Sequence, residues 1–242
     1  MNKNFPTLKL SNKKYTLLMW LVKLFPRRII PTRSIHIEDK FIACPLILKK
    51  EISPTLINLN ISKNMKCLVN DEAAINQIMQ HQEALPEAVY RQRIAQGDSC
   101  FILLNKKRVV AYSWVSHDKC AIFRGFKKEV DFLTLSCKQA FTYDFYTYKD
   151  DRNKGYGSIV KQFLLKHLAQ GGVKEMLTSV HQDNHASLAV YFNFGYKPIA
   201  IAYLARIMNW TISFQSSNKE LKNIKQWFEQ YMQYMQYKNS KN

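Results

Sequence analysis

Several things are scarce in this 242-residue chain, and each scarcity excludes something. Glycine and proline number seven apiece, too few for a collagen-like or low-complexity chain. The five cysteines, Cys44, Cys67, Cys100, Cys120 and Cys137, are odd in number, scattered and without a C-x-x-C pair. That usage speaks against a disulfide framework and for free thiols in a reducing compartment. Apolar runs are short: Tyr15–Val22 (Y-T-L-L-M-W-L-V) falls well below the roughly 20 residues that span a bilayer. Basic residues close that run and no small-residue cleavage site follows it, so a secretory signal is not expected. Acids are also few, 18 against 36 Lys and Arg, for a formal net charge of +18.

What is present can build a core. Hydrophobic residues make up 47% of the chain, and the length suits one or two domains. The basic excess is concentrated at the front: Lys3, Lys9, Lys13, Lys14, Lys23, Arg27, Arg28 and Arg33 precede the first acid, Glu38. Such a field favours polyanions, whether nucleic acid, anionic lipid or a phosphorylated cofactor. It equally suits a lysine-rich proteome, in which it selects no partner. The expected compartment is the cytoplasm, with peripheral contact to the inner membrane face left open.

The pattern of residues gives an order of elements. Tyr15–Phe25 reads as a short helix stopped by Pro26, with Leu17, Leu18, Trp20, Leu21 and Leu24 on most of its surface. It can pack on the domain or lie in a membrane interface. Ser34–Ile37 and Phe41–Leu48 are strand-like, and Met65–Val69 is a short strand. Asp71 is placed to cap a helix bearing Ala74, Ile75, Ile78 and Met79, and Pro86 suits the start of a second. Cys100–Leu104 and Arg108–Val115 form strands around the turn Asn105–Lys107. A loop or bent strand leads to a strand at Phe141–Tyr148. After Gly155 the period becomes helical, with Ile159, Val160, Phe163, Leu164 and Leu168 on one face. Met176–Val180, Ala186–Phe194 and Lys197–Trp210 then read as strand, helix and one or two strands. Lys219–Tyr237 is a final amphipathic helix striped with Leu221, Ile224, Phe228, Tyr231 and Met235. Hairpin strands followed by helical crossovers predict a mixed sheet covered by helices.

The most informative segment is Tyr143–Ser158 (Y-D-F-Y-T-Y-K-D-D-R-N-K-G-Y-G-S), which reads strand, turn, helix. Gly155 and Gly157 lack Cβ atoms, so successive main-chain N–H groups can face a ligand. They stand at a helix N-terminus, where the dipole and unpaired donors favour a phosphate. Arg152 and Lys154 add charge there. The P-loop pattern and the dinucleotide-binding G-x-G-x-x-G are both missing from the chain. A second segment, Asn184–Tyr196 (N-H-A-S-L-A-V-Y-F-N-F-G-Y), follows the next strand.

With R-x-x-G-x-G at Arg152–Gly157 and this later segment in order, the chain resembles the GNAT superfamily of acyl-CoA-dependent N-acyltransferases over residues 65 to 210. The resemblance implies a mixed α/β fold: a mostly antiparallel twisted sheet flanked by helices, with an N-terminal helix/strand extension and a C-terminal helix. It implies that Arg152, Asn153, Lys154, Gly155, Tyr156, Gly157 and Ser158 grip the pyrophosphate of acetyl-CoA or another acyl-CoA. The Phe145, Tyr146 and Thr147 backbone would run beside the pantetheine, and Asn184 would contact that arm or order the strands. Tyr191 would be the general acid for the departing thiolate, a role suited to a neutral phenol. Asp144, the carboxylate inside its strand, is the candidate general base. Strict alternation puts Asp144 on the face opposite Tyr143, so a structural hydrogen-bonding role stands beside it.

His181 and His185 straddle a strand end and a helix start without a third ligand, so no metal is expected. The expected division is a basic extension over residues 1–64, an acyltransferase domain over 65–212 and a C-terminal amphipathic helix and tail over 213–242. The expected activity is acyl transfer to a primary amine by direct attack in a ternary complex. Alternatives are a long-chain transferase fed by acyl-CoA or acyl carrier protein at a membrane, and a basic RNA-binding module on this scaffold. The intact turn argues against the last, so nucleic acid is not an expected partner. The tail helix leaves a homodimer open, and the acceptor amine carries no recognisable code.

Overall fold

The computed structural model describes residues 40–43, 45–53, 61–81, 84–122, 124, 129–181, 184–207 and 210–215, and scattered helical residues between 222 and 233. The helix expected at Tyr15–Phe25 and the strand at Ser34–Ile37 lie outside these residues. The chain divides into two compact units, Lys49–Thr178 and Met1–Leu48 with Ser179–Asn242.

In chain order the strands are β1 (Lys40–Ala43), β2 (Pro45–Glu51), β3 (Met65–Val69), β4 (Ser99–Asn105), β5 (Arg108–Ser116), β6 (Lys119–Ile122), β7 (Val130–Thr134), β8 (Gln139–Thr147), β9 (Glu175–His181), β10 (Lys197–Ile207) and β11 (Trp210–Gln215). The helices are α1 (Glu72–Met79), α2 (Glu87–Ala95), α3 (Tyr156–Gln170) and α4 (His185–Asn193). Within the Lys49–Thr178 unit, β3, β4, β5 and β8 pair antiparallel in that order. Strand β9 then runs parallel to β8, and this ladder covers only Gln139–Thr142 against Glu175–Thr178. The result is the mixed, mostly antiparallel sheet with helices that the sequence leads one to expect.

Local chemistry explains the helix starts. The Asp71 carboxylate accepts from the Ala74 N–H at 2.9 Å, capping α1. Pro86 stands at the N-cap of α2. On one face of the sheet Ala74, Ile75, Ile78, Tyr90, Ile102, Tyr112 and Trp114 form a buried cluster. On the other face α3 packs by Val160, Leu164, Leu165 and Leu168, with the Phe101 ring 5.7 Å from Phe163. Strand β5 is buried at every position after Arg108, as a strand covered on both faces must be.

The loop or bent strand expected after β5 is a separate two-stranded antiparallel sheet, β6 with β7. Its strands are short, and ionic contacts hold it: Lys119 meets Glu129 at 2.6 Å and Asp131 at 3.1 Å.

In the other unit, β10 pairs antiparallel with β1 and with β11. Asn184 caps α4, its carboxamide oxygen accepting from the Ser187 N–H at 3.1 Å. Leu188, Tyr191, Phe192 and Tyr196 are buried. The Phe192 ring meets Phe228 edge-on at 4.8 Å, so this tail residue packs within its own unit.

Candidate active site

Between β8 and α3 the chain turns within eight residues, Tyr148–Gly155. A single 3-10 turn, Lys149–Asp151, begins it, with the Asp151 N–H donating to the Tyr148 carbonyl at 2.9 Å. Asn153 and Gly155 both take positive φ, 62° and 79°, and Gly155 is the N-cap of α3. A side chain at such a φ is strained, which accounts for glycine at 155. The Ser158 N–H of the first turn of α3 donates to the Gly155 carbonyl at 3.0 Å. The N–H groups of Tyr156 and Gly157 stand at the helix start, where no intrahelical acceptor precedes them, and Arg152–Gly155 and Ser158 are exposed around them.

Gly157 is glycine for a steric reason. A Cβ there would stand 2.8 Å from Cζ of Phe145 and 3.3 Å from Oγ1 of Thr147. The first turn of α3 is thereby pressed against the end of β8. Tyr146 turns towards the aromatic cluster, 5.8 Å from Tyr112 and 5.5 Å from Tyr148.

The cations of the turn are held in place. Arg152 donates from Nε to the Thr147 carbonyl at 3.2 Å, with its guanidinium 5.8 Å from the Tyr146 ring centre. Asp151, 1% exposed, receives a two-pronged Arg108 at 2.7 and 2.9 Å and Lys154 at 3.4 Å. Arg108 holds the Asp151 carboxyl below its ordinary range, outweighing the effect of burial. Asn105 donates to the Tyr156 hydroxyl at 2.8 Å, tying the β4–β5 turn to the same helix start.

Asp144 occupies a β-bulge. Tyr112 pairs with Tyr146 and Trp114 with Tyr143, so Asp144 and Phe145 together oppose Ser113. Asp144 has φ 45°. The extra residue breaks the alternation assumed from sequence: Tyr143 and Tyr146 both pack on the Tyr112–Trp114 cluster. The Asp144 carboxylate receives Nη1 of Arg93 at 2.6 Å.

Behind it lies a polar network that sequence reasoning did not find. Arg93 is 2% exposed and also donates from Nε to the main-chain carbonyl of Arg124 at 3.1 Å. Arg124 grips Asp98 at 2.8 Å through both Nε and Nη2, and reaches Asp118 at 2.9 Å and Glu129 at 3.1 Å. The Tyr143 hydroxyl donates to Asp98 at 2.6 Å. Burial, helped by Asp98, pushes the Tyr143 phenol well above its ordinary value against the pull of Arg93.

Phe145, Tyr146, Thr147 and Arg152–Ser158 are therefore brought together around one turn, with Asp144 just upstream. Asn184 and Tyr191 belong to the other unit. Asn184 is exposed at the start of α4, and Tyr191, 4% exposed, meets Tyr196 edge-on at 5.1 Å. Among the described residues no three His, Cys, Asp or Glu side chains are grouped to hold a metal. None of the described helices is long and apolar enough to cross a membrane.

A family model described as the acetyltransferase (GNAT) family matches residues 68–196. No curated protein matches the chain. Among solved structures, a Drosophila protein shares 8% identity at TM-score 0.52, over 84% of this chain and 59% of that one. A GCN5-related N-acetyltransferase from Kribbella flavida shares 14% identity at TM-score 0.43, over 69% of this chain and 59% of that one. The ribosomal-protein-S18-alanine N-acetyltransferase of Escherichia coli shares 18% identity at TM-score 0.40, over 54% and 76%. The chain thus spans about 59% of the length of the first two.

Proposed function

The chain belongs to the GNAT acetyltransferase family, and from that premise we propose that it transfers an acetyl group from acetyl-CoA to a primary amine. The observation that supports this reading is the turn between β8 and α3. It offers helix N-terminal N–H groups, a left-handed Gly155 and the cations Arg152 and Lys154 at one exposed point. That set of donors suits the pyrophosphate of coenzyme A. The end of β8, Phe145–Thr147, would carry the pantetheine as an added strand.

In the ternary complex the amine nitrogen attacks the thioester carbonyl carbon. A C–N bond forms while the carbonyl electrons move to oxygen, which a main-chain N–H near the end of β8 would stabilise. The electrons return as the C–S bond breaks, and coenzyme A leaves as a thiolate that takes a proton from a general acid, a role that the family resemblance gives to Tyr191. The tyrosinate recovers a proton from solvent. The proton lost by the amine goes to Asp144, directly or through water.

The test is a thiol-release screen of primary amines against acetyl-CoA and longer acyl-CoAs, beside calorimetry of acetyl-CoA binding. Acetyl-CoA binding that requires the turn, with thiol release on adding amines, is expected. A wild-type protein with no affinity for acetyl-CoA would sink the reading.

A further inference from the structure

The chemistry above gives no task to Arg93, whose setting is unusual for an arginine on a helix. Its guanidinium is boxed by the rings of Tyr143, Trp114 and Tyr90, at 5.0, 5.3 and 5.7 Å from their centres. Removing a guanidinium from water is costly unless it is paired and hydrogen-bonded, and here the ionic partner is Asp144 at 2.6 Å. The pair is asymmetric. The Arg93 side chain is 3% exposed and that of Asp144 is 29% exposed, so the fork stands behind and the carboxylate in front. Arg93 is braced in turn by the Arg124 carbonyl, and Arg124 by Asp98. These contacts tie α2, the start of β4, the β6–β7 segment and the bulge of β8 into one frame around a single carboxylate.

Resting on the acetyltransfer reading, in which Asp144 serves the incoming amine, we propose that Arg93 is a positioning residue for the acceptor half of the site. It fixes the Asp144 carboxylate at the bulge by holding Oδ2, which leaves Oδ1 as the oxygen that meets the N–H of the amine. A guanidinium fork clamped between rings has little rotational freedom to lose, which suits it to fixing another side chain. Donor and acceptor are then handled by separate frames. The turn at Arg152–Ser158 serves acetyl-CoA, and the Arg93 frame serves the amine.

The experiment compares wild type with R93Q, R93K, D144N and the double variant R93Q/D144N. Thiol release, acetyl-CoA calorimetry and thermal melting are measured for each. R93Q and D144N should each lower kcat/KM for the amine by about a hundredfold, with acetyl-CoA affinity kept to within about twofold. The double variant should be no slower than D144N, because Arg93 acts through Asp144. R93K keeps the charge but not the fork and should fall between wild type and R93Q. Additive losses in the double variant, R93K as fast as wild type, or equal losses of acetyl-CoA affinity and amine turnover would each overturn the proposal. Should R93Q fail to fold, R93K, D144N and R93K/D144N form the same cycle. A crystal structure of the Arg93 variant separates the two readings. A carboxylate that stays in place without the fork overturns the positioning role whatever the activity. A displaced carboxylate in a protein that binds no acetyl-CoA leaves that role standing and removes the acetyltransfer reading.

Discussion

Gly157 faces the ring of Phe145 so closely that a single added carbon would stand 2.8 Å from its Cζ. The ring has little room to retreat, because Nζ of the buried Lys161, one turn further along α3, lies 4.0 Å from its centre. Gly155 is constrained differently: a Cβ there meets nothing within 4 Å, but φ is +79°. Two glycines of one short motif therefore answer two separate demands, one steric and one conformational.

The two substitutions should accordingly respond to different rescues. Gly155→Ala forces a side chain into the left-handed region and should cost about 1–2 kcal/mol. Gly157→Ala overpacks the contact with Phe145 and should cost about 1–3 kcal/mol. Adding Phe145→Leu should restore much of the loss in the second case and none in the first. Urea unfolding of the four proteins reads the stabilities, and calorimetry with acetyl-CoA should follow them. Gly157→Ala left equally unstable by Phe145→Leu would mean that the close contact is not the constraint.

Acid should unfold the protein partly through Asp151 and Glu175. Arg108 holds the Asp151 carboxyl below its ordinary range, and Lys49 with Gln139 does the same for Glu175. A carboxylate whose folded value is depressed contributes stability above its unfolded value, about 4, and loses it as the pH falls through the folded value. The melting temperature should thus hold down to about pH 4 and then fall. Asp151→Asn should melt lower at pH 7 and show a shallower acid limb. An acid limb as steep as that of wild type would show that Asp151 is not among the groups responsible.

Where the sequence was readable, a local rule and the packing agree. Asp71 caps α1 and Pro86 opens α2 as their residue types suggest, and the turn at Arg152–Ser158 stands between a strand and a helix as the residue pattern reads. Elsewhere a tertiary contact overrides the local signal. On α2 Arg93 is buried beside Val89 and Tyr90 while the neighbouring Ile94 is 47% exposed, the reverse of what polarity suggests for that pair. The facing Asp144, the Arg124 carbonyl and three aromatic rings make that inversion tolerable, and the rings come from β5, β8 and α2 itself. The bulge at Asp144 is likewise invisible in a run of alternating aromatic residues, since one inserted residue leaves no mark on composition. The β6–β7 hairpin was missed because charge pairs, rather than a long alternating pattern, secure it.

Arg124 is the most consequential of those hidden charges for stability. Its guanidinium is 1% exposed and Asp98, which it grips in two places, is equally buried. Arg124→Met should leave Asp98 buried with only the Tyr143 hydroxyl for company, at a cost of about 3–5 kcal/mol. Arg124→Met combined with Asp98→Asn should be more stable than Arg124→Met alone, because the uncompensated charge is then gone. Denaturant titration decides this. A single variant within about 1 kcal/mol of wild type would mean that the network relaxes around water instead of holding the hairpin.

Tyr191 offers the sharpest kinetic test of the proposed chemistry. A group that protonates the departing thiolate acts after the donor has bound, so its removal should appear in turnover and not in affinity. Tyr191→Phe keeps the ring that meets Tyr196 at 5.1 Å and deletes only the hydroxyl. The ring packing in α4 should therefore survive. We expect kcat to fall by about one to two orders of magnitude, with acetyl-CoA affinity unchanged by calorimetry. The loss should be smaller with an acyl donor whose leaving thiol is more acidic, because a better leaving group needs less help from a proton. Turnover equal to wild type would take Tyr191 out of the mechanism and leave the thiolate to be protonated by solvent.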